Sequence, residues 1–169
     1  KNDPIPPQWV ALRMFNVYGP NEYHKGEHMS VVSKLYPQVE AAAAARLFKS
    51  YNPKYEDGGQ IRDFIWVEDC IDVMLWFYKN KDKSGLYNVG TGQGRSFNDM
   101  AKAVFQACDK PPKISYVEMP NSLKHKYQYY TEADVSKLRA AGYTKEFTSL
   151  EDGIRQYVEN YLGKEDQYR

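Results

Sequence analysis

Any chemistry in this 169-residue sequence has to start from a few residues. Arg13-Met14-Phe15-Asn16-Val17-Tyr18-Gly19-Pro20 ends a short apolar run with an asparagine, a tyrosine and a tight turn. Ligands of open α/β sheets bind beyond the carboxyl ends of strands, which would suit Asn16. The plainer alternative is an asparagine that satisfies the backbone of its own turn. Lys25 follows, between His24 and Gly26. A lysine in a partly desolvated site can exchange protons near neutral pH, whereas one in water does so poorly, and spacing alone reads Lys25 as a surface residue. His24 and His28 stand four apart, but no acid follows His24 and Gly26 lies between them, so this is no HExxH helix and no metal is expected. Arg62-Asp63-Phe64 places two charges inside an apolar run. A buried charge needs a partner, so Arg62 either pairs with Asp63 or Asp69 or holds an anionic ligand in its guanidinium fork. Tyr127, Tyr129 and Tyr130 sit beside Lys124, His125 and Lys126, a group that either stacks on a base or sugar and clamps phosphates or packs a solvated loop.

The elements that must position these residues alternate in type. Residues 10–15 read as a buried strand closed by Gly19-Pro20. Residues 30–45 read as a helix, with Val31, Val32, Leu35 and Val39 near helical spacing. Its alanine run, 41–45, has the highest helix propensity available, and Pro37 marks a kink or a first turn. Strands are expected at 46–50 and 61–67, separated by a polar loop at 51–60. Glu68 and Asp69 then suit the start of a helix that carries Ile71, Val73, Met74, Leu75, Trp76 and Phe77, apolar on enough faces to be well buried. A strand at 86–90 precedes a helix opened by Ser96 and Asp99. A strand at 113–117 follows, then a helix at 135–141 capped by Gly142. Thr148 and Glu151 form a capping box for a last helix burying Ile154, Tyr157, Val158 and Leu162.

Composition narrows the function classes. The sequence is 42% hydrophobic and 15% aromatic with net charge +1, enough for a packed core and unlike a disordered chain. Twenty-three basic against 22 acidic residues argue against a nucleic-acid partner. No stretch approaches the roughly 20 apolar residues of a membrane span, so no membrane partner is expected. The two cysteines, Cys70 and Cys108, suit a reducing compartment. The proline-rich opening, from Lys1, has no apolar core of a signal peptide and leads straight into a strand, which reads as a piece of something longer. Gly90-Thr91-Gly92-Gln93-Gly94 follows a strand, but its spacing is not the GxGxxG of a dinucleotide loop.

Arg13 through Pro20, Arg62-Asp63-Phe64-Ile65-Trp66-Val67-Glu68-Asp69, and Tyr87-Asn88-Val89-Gly90-Thr91-Gly92 occur in that order. Together they resemble the C-terminal half of the extended short-chain dehydrogenase/reductase family, the NAD-dependent epimerases and dehydratases of nucleotide sugars. Asn16 through Gly26 with Met29-Ser30-Val31, Val73 through Phe77, Tyr127-Gln128 with Thr131-Glu132-Ala133-Asp134, and Leu138 through Tyr143 are similar to its heptose 6-epimerase branch.

The resemblance implies an α/β fold. The last strands of a Rossmann-type parallel sheet, near 9–16 and 86–90, would join a smaller α/β substrate-binding domain, with the N-terminal cofactor-binding part missing. It implies epimerisation at C6 of an ADP-heptose by transient oxidation with bound NADP (or NAD), serving lipopolysaccharide synthesis in a bacterial cytoplasm, in a homo-oligomer. By the same resemblance Lys25 is an acid/base group acting with a tyrosine that this sequence lacks. Val17 and Lys25 lie against the cofactor, Asn16, Phe48 and Tyr127 contact substrate, and Arg62 faces the diphosphate. Glu27, Lys34 and the 51–60 loop depart from the family's pattern and take no role from it. Another nucleotide-sugar epimerase or dehydratase, or a fragment that binds such a sugar without turning it over, are the competing readings.

Overall fold

The computed structural model describes residues 6–165, so the first five residues of the proline-rich opening lie outside it. Strand β1 (Val10–Met14) leads into β2 (Asn16–Tyr18), a 3-10 segment (Tyr23–His28) and helix α1 (Val31–Glu40). Strands β3 (Ala45–Phe48), β4 (Ile61–Arg62) and β5 (Phe64–Trp66) precede α2 (Val67–Lys79). Next come β6 (Gly85–Val89), β7 (Arg95–Ser96), α3 (Phe97–Ala107) and β8 (Ile114–Val117). Helices α4 (Asn121–Lys124), α5 (Ser136–Ala140) and α6 (Leu150–Tyr157), the last continued by a π turn (Val158–Leu162), complete the described chain.

The expected α/β order is present, built from strand pairs. β1 lies parallel to β6, β2 to β5 and β3 to β8, while β4 and β7 run antiparallel. Helix α2 connects β5, the partner of β2, to β6, the partner of β1. Between Met14 and Asn16 the chain changes partner. The Phe15 N–H donates to the Val89 carbonyl at 2.9 Å, and the Asn16 N–H donates to the Asp63 carbonyl at 3.0 Å. That switch puts Asn16 just past the carboxyl end of β1.

Two cores hold the strands. Around Tyr18, Trp66, Phe105, Ile154 and Tyr157 the helices α1, α3 and α6 close over β2, β3 and β5. Ile65, Val73, Phe77, Val89 and Leu138 form the second, between α2, α5 and β6. The Ser96–Asp99 capping box forms as read, with the Asp99 N–H donating to Ser96 Oγ at 3.0 Å and the Ser96 N–H to Asp99 Oδ2 at 3.1 Å.

Several expectations are corrected. Residues 41–45 are not helical, since α1 ends at Glu40, Ala42 turns at φ 55° and Ala45 is fully buried in β3. Propensity loses there because strand pairing with β8 requires the chain to reverse. Pro37 sits inside α1 rather than at its first turn. The strand at 61–67 is broken at Asp63, and α2 begins at Val67. Helix α2 buries Cys70, Val73 and Phe77, yet Ile71, Met74, Leu75 and Tyr78 are exposed, because it packs on neighbours along one stripe only. Helix α6 is capped by Ser149 rather than Thr148.

Candidate functional site

The turn after β2 builds one end of the site. Gly19 is required there, because a Cβ would stand 2.3 Å from Val67 Cγ1 and its φ is +156°. The chain then enters the 3-10 segment that carries Lys25, and the Met29 N–H closes the segment on the Gly26 carbonyl at 3.1 Å. Behind it Glu22 is buried, its side chain 4% exposed. It accepts the Ser30 N–H at 2.8 Å, the Ser30 hydroxyl, the Ser33 hydroxyl at 2.6 Å and the Tyr157 hydroxyl at 3.4 Å. Burial pushes the Tyr157 hydroxyl pKa upward, with the Ser33 bond opposing it.

Asn16, Val17 and Lys25 line one cavity of about 370 Å³, together with Phe15, Met29, Phe64 and Phe97. The Lys25 amine stands 3.9 Å from Glu22 Oε2 and its side chain is 48% exposed. The desolvation that acid/base work asks of a lysine is therefore not supplied by the described residues.

Phe48 and Tyr127 line a second cavity of about 250 Å³ with Gln60, Arg46 and Lys34, their rings meeting edge-on at 6.5 Å. Val31 and Phe97 line both cavities, so the two adjoin. Arg62 lies against this junction, its guanidinium 5.8 Å from the Phe97 ring centre and 5.2 Å from that of Tyr127. It donates to the carbonyls of Ile61, at 2.7 Å, and Gln128. No carboxylate among the described residues pairs with it, and burial lowers its pKa. The structure thus collects Asn16, Val17 and Lys25 at one end and Phe48, Arg62 and Tyr127 at the other.

The acids considered as Arg62 partners serve other groups. Asp63, fully buried, accepts the Thr91 N–H and hydroxyl, each at 2.7 Å, the Gly92 N–H at 2.8 Å and the Ala133 N–H at 3.0 Å. Asp69 accepts the Thr148 N–H at 2.9 Å and hydroxyl at 3.1 Å. Burial pushes the Asp69 carboxyl up, and these two bonds oppose the shift. Asp63 was read from the sequence as a charge inside an apolar run, but as a partner of Arg62 rather than of backbone amides, and Glu22 was not singled out at all. Of the neighbouring tyrosines, Tyr129 accepts the Tyr51 N–H at 2.9 Å, and Lys124 lies over the Tyr51 ring. Glu27 and Lys34, where the sequence departs from the family's pattern, pair with each other at 3.6 Å.

Among the described residues no three His, Cys, Asp or Glu side chains gather as a metal site. The described residues fit one end of a dinucleotide. Phe15, Val17 and Met29 give an apolar wall with Asn16 and Lys25 as polar points, which suits a nicotinamide ring. The amides of Thr91 and Gly92 cannot cradle phosphates, because Asp63 already accepts them. No described helix is long and apolar enough to cross a membrane.

The chain is similar to proteins already known. The NAD dependent epimerase/dehydratase family matches residues 8–90. The chain is 51% identical over 94% of its length to the ADP-L-glycero-D-manno-heptose-6-epimerase of Nitratidesulfovibrio vulgaris strain DP4, and covers 49% of that protein. To the enzyme of the same name from Fusobacterium nucleatum it is 48% identical, covering 96% of this chain and 51% of the relative. It spans about half the length of these curated relatives. Among solved structures, the Helicobacter pylori ADP-L-glycero-D-manno-heptose-6-epimerase superposes with TM-score 0.72 at 31% identity, over 90% of this chain and 44% of that one. The UDP-glucose 4-epimerase of Thermus thermophilus, in complex with NAD, superposes with TM-score 0.68 at 27% identity, over 88% of this chain and 44% of that one. With an α/β fold shared with these structures and a matched stretch reaching from the first strand through β6, the chain is similar to the NAD dependent epimerase/dehydratase family over residues 8–90.

Proposed function

We propose that this chain is the substrate-binding half of an ADP-heptose 6-epimerase. The observation that carries the reading is the junction of the two cavities at Val31 and Phe97, with an amine and an amide lining one and Arg62 lying against the Phe97 and Tyr127 rings that line the other. A sugar nucleotide has that polarity: hydroxyls at one end, then a diphosphate, then a base. Half-length identity to heptose 6-epimerases supports the heptose as the sugar.

In this reading a bound NADP or NAD supplies reversible hydride transfer at C6, which inverts a carbon that has no acidic proton. Lys25 gives a proton to, or takes one from, the C6 oxygen, and the Asn16 side chain orients the sugar. Val17 forms the apolar face beside the nicotinamide, and the remaining half of the enzyme together with substrate excludes water from Lys25. Phe48 and Tyr127 hold the nucleotide while Arg62 neutralises the diphosphate, since a guanidinium fork suits paired phosphate oxygens. Strands β1 and β6 extend the Rossmann sheet of the missing half, the enzyme is a homo-oligomer of the bacterial cytoplasm, and its product serves lipopolysaccharide assembly.

The test is Lys25→Met in the full-length protein, assayed with ADP-heptose. Loss of turnover by about a hundredfold or more is expected for removal of a positioned acid/base group. Unchanged turnover would rule this reading out. The 169-residue chain alone is expected to bind the sugar nucleotide without turning it over.

A further inference from the structure

We infer that Glu22 is a positioning residue that acts through Lys25, an inference that rests on the acid/base reading of that lysine. Glu22 stands at the start of the 3-10 segment and its backbone carbonyl accepts the Lys25 N–H at 3.0 Å. Its carboxylate is nearly inaccessible, yet it keeps one oxygen, Oε2, 3.9 Å from the half-exposed Lys25 amine. A charge taken out of water persists only where its lone pairs are matched. Here they are matched by elements far apart in the chain. Ser30, the N-cap of α1, donates from its backbone N–H, and Ser33 donates from the first turn of that helix. Tyr157 reaches in from α6, 135 residues away.

The arrangement has a directional consequence. The carboxylate is anchored from behind by α1 and α6, while its other side faces the lysine at the cavity wall. A flexible lysine stem offers many rotamers, and an immobile anion beside its tip narrows them toward the cavity that Asn16 also lines. Glu22 thereby ties the orientation of the amine to the packing of α6 on α1. Reacting groups displaced by about 1 Å lose roughly a hundredfold in rate, so the tether bears on the chemical step more than on binding.

The experiment is a double-mutant cycle in the full-length enzyme with ADP-heptose as substrate. Glu22→Gln is expected to lower kcat by about ten- to a hundredfold while KM changes by less than about threefold. In a Lys25→Met background the same change is expected to lower residual kcat by less than about twofold, since what Glu22 holds is already gone. An equal loss in both backgrounds, or a lower melting temperature with kcat unchanged, would overturn the inference and leave Glu22 a part of the fold only. Should Glu22→Gln fail to fold, Ser33→Ala replaces it in the same cycle, because it frees the carboxylate without removing its charge. Intact turnover in Lys25→Met alone would instead defeat the reading of Lys25, which separates the two failures.

Discussion

The Arg62 guanidinium lies 5.2 Å from the centre of the Tyr127 ring, and its hydrogen bonds go to backbone carbonyls rather than to a carboxylate. No carboxylate among the described residues neutralises this half-buried arginine, and the proposed function gives that charge to the diphosphate. Arg62→Met is expected to raise KM for the sugar nucleotide about ten- to a hundredfold, the equivalent of one charge-assisted hydrogen-bond set, with a smaller effect on kcat. Titration calorimetry with the nucleoside diphosphate checks the same loss without turnover. Equal affinity in the variant would remove Arg62 from the diphosphate site.

Asp63 is the internal acceptor that holds the turn after β6 and the segment at Ala133 to β5. In Asp63→Asn one of the two side-chain atoms becomes a donor facing donors. Unfolding in urea is expected to show a loss of about 2–4 kcal/mol, the cost of leaving buried amides unmatched. A variant as stable as the parent would mean that those amides find other acceptors.

Gly153 lies within α6, where a Cβ would stand 2.0 Å from the Tyr18 hydroxyl oxygen. Helix propensity favours alanine by about 1 kcal/mol, but overpacking a rigid contact costs about 1–3 kcal/mol. Gly153→Ala is expected to lower the melting temperature despite the better helix former, and Tyr18→Phe in the same chain to restore part of the loss. If Gly153→Ala raised the melting temperature, the contact would have to be soft.

Arg95 donates to both oxygens of Glu151, at 3.2 and 2.5 Å, and holds that carboxyl below its ordinary value of 4.5. A carboxylate whose pKa falls on folding contributes stability that is present above its ordinary value and lost as pH drops through its folded value. The side chains are 32% and 42% exposed, so solvent screens the pair and its contribution at neutral pH is at most about 1 kcal/mol. Glu151→Gln is expected to be less stable than the parent by that amount near neutral pH, with the difference closing as the solution is acidified below the ordinary carboxyl value of 4.5. Denaturant melts across that range provide the check, and a gap that widens on acidification would contradict the pairing.

Features carried by neighbouring residues were readable from the residues alone. The Ser96–Asp99 box needs only two side chains three apart and the amides between them, and it forms as read. The turn at Gly19-Pro20 and the alternation of strands with helices follow from similarly local rules. Residue type and spacing picked out Asn16, Lys25, Arg62 and Tyr127, and resemblance added Phe48 and the roles, but their order in the chain says nothing of the two adjoining cavities that Asn16, Lys25, Phe48 and Tyr127 line and Arg62 flanks.

Contacts between distant parts of the chain settled the rest. The run at 41–45 has every local reason to be helical, yet Ala45 pairs with Ile114 and is buried, so strand pairing overrides propensity. Thr148 has the capping side chain, but Asp69, 79 residues away, takes both its N–H and its hydroxyl, and the cap passes to Ser149. The acid at 22 looks like any other until helices close over it, and the apolar run around Asp63 hints at burial without naming the amides of Thr91, Gly92 and Ala133 that it accepts. Short-range rules report hydrogen bonds available within a turn of chain; which charge is buried, and which amine faces a cavity, depends on surfaces that meet only on folding.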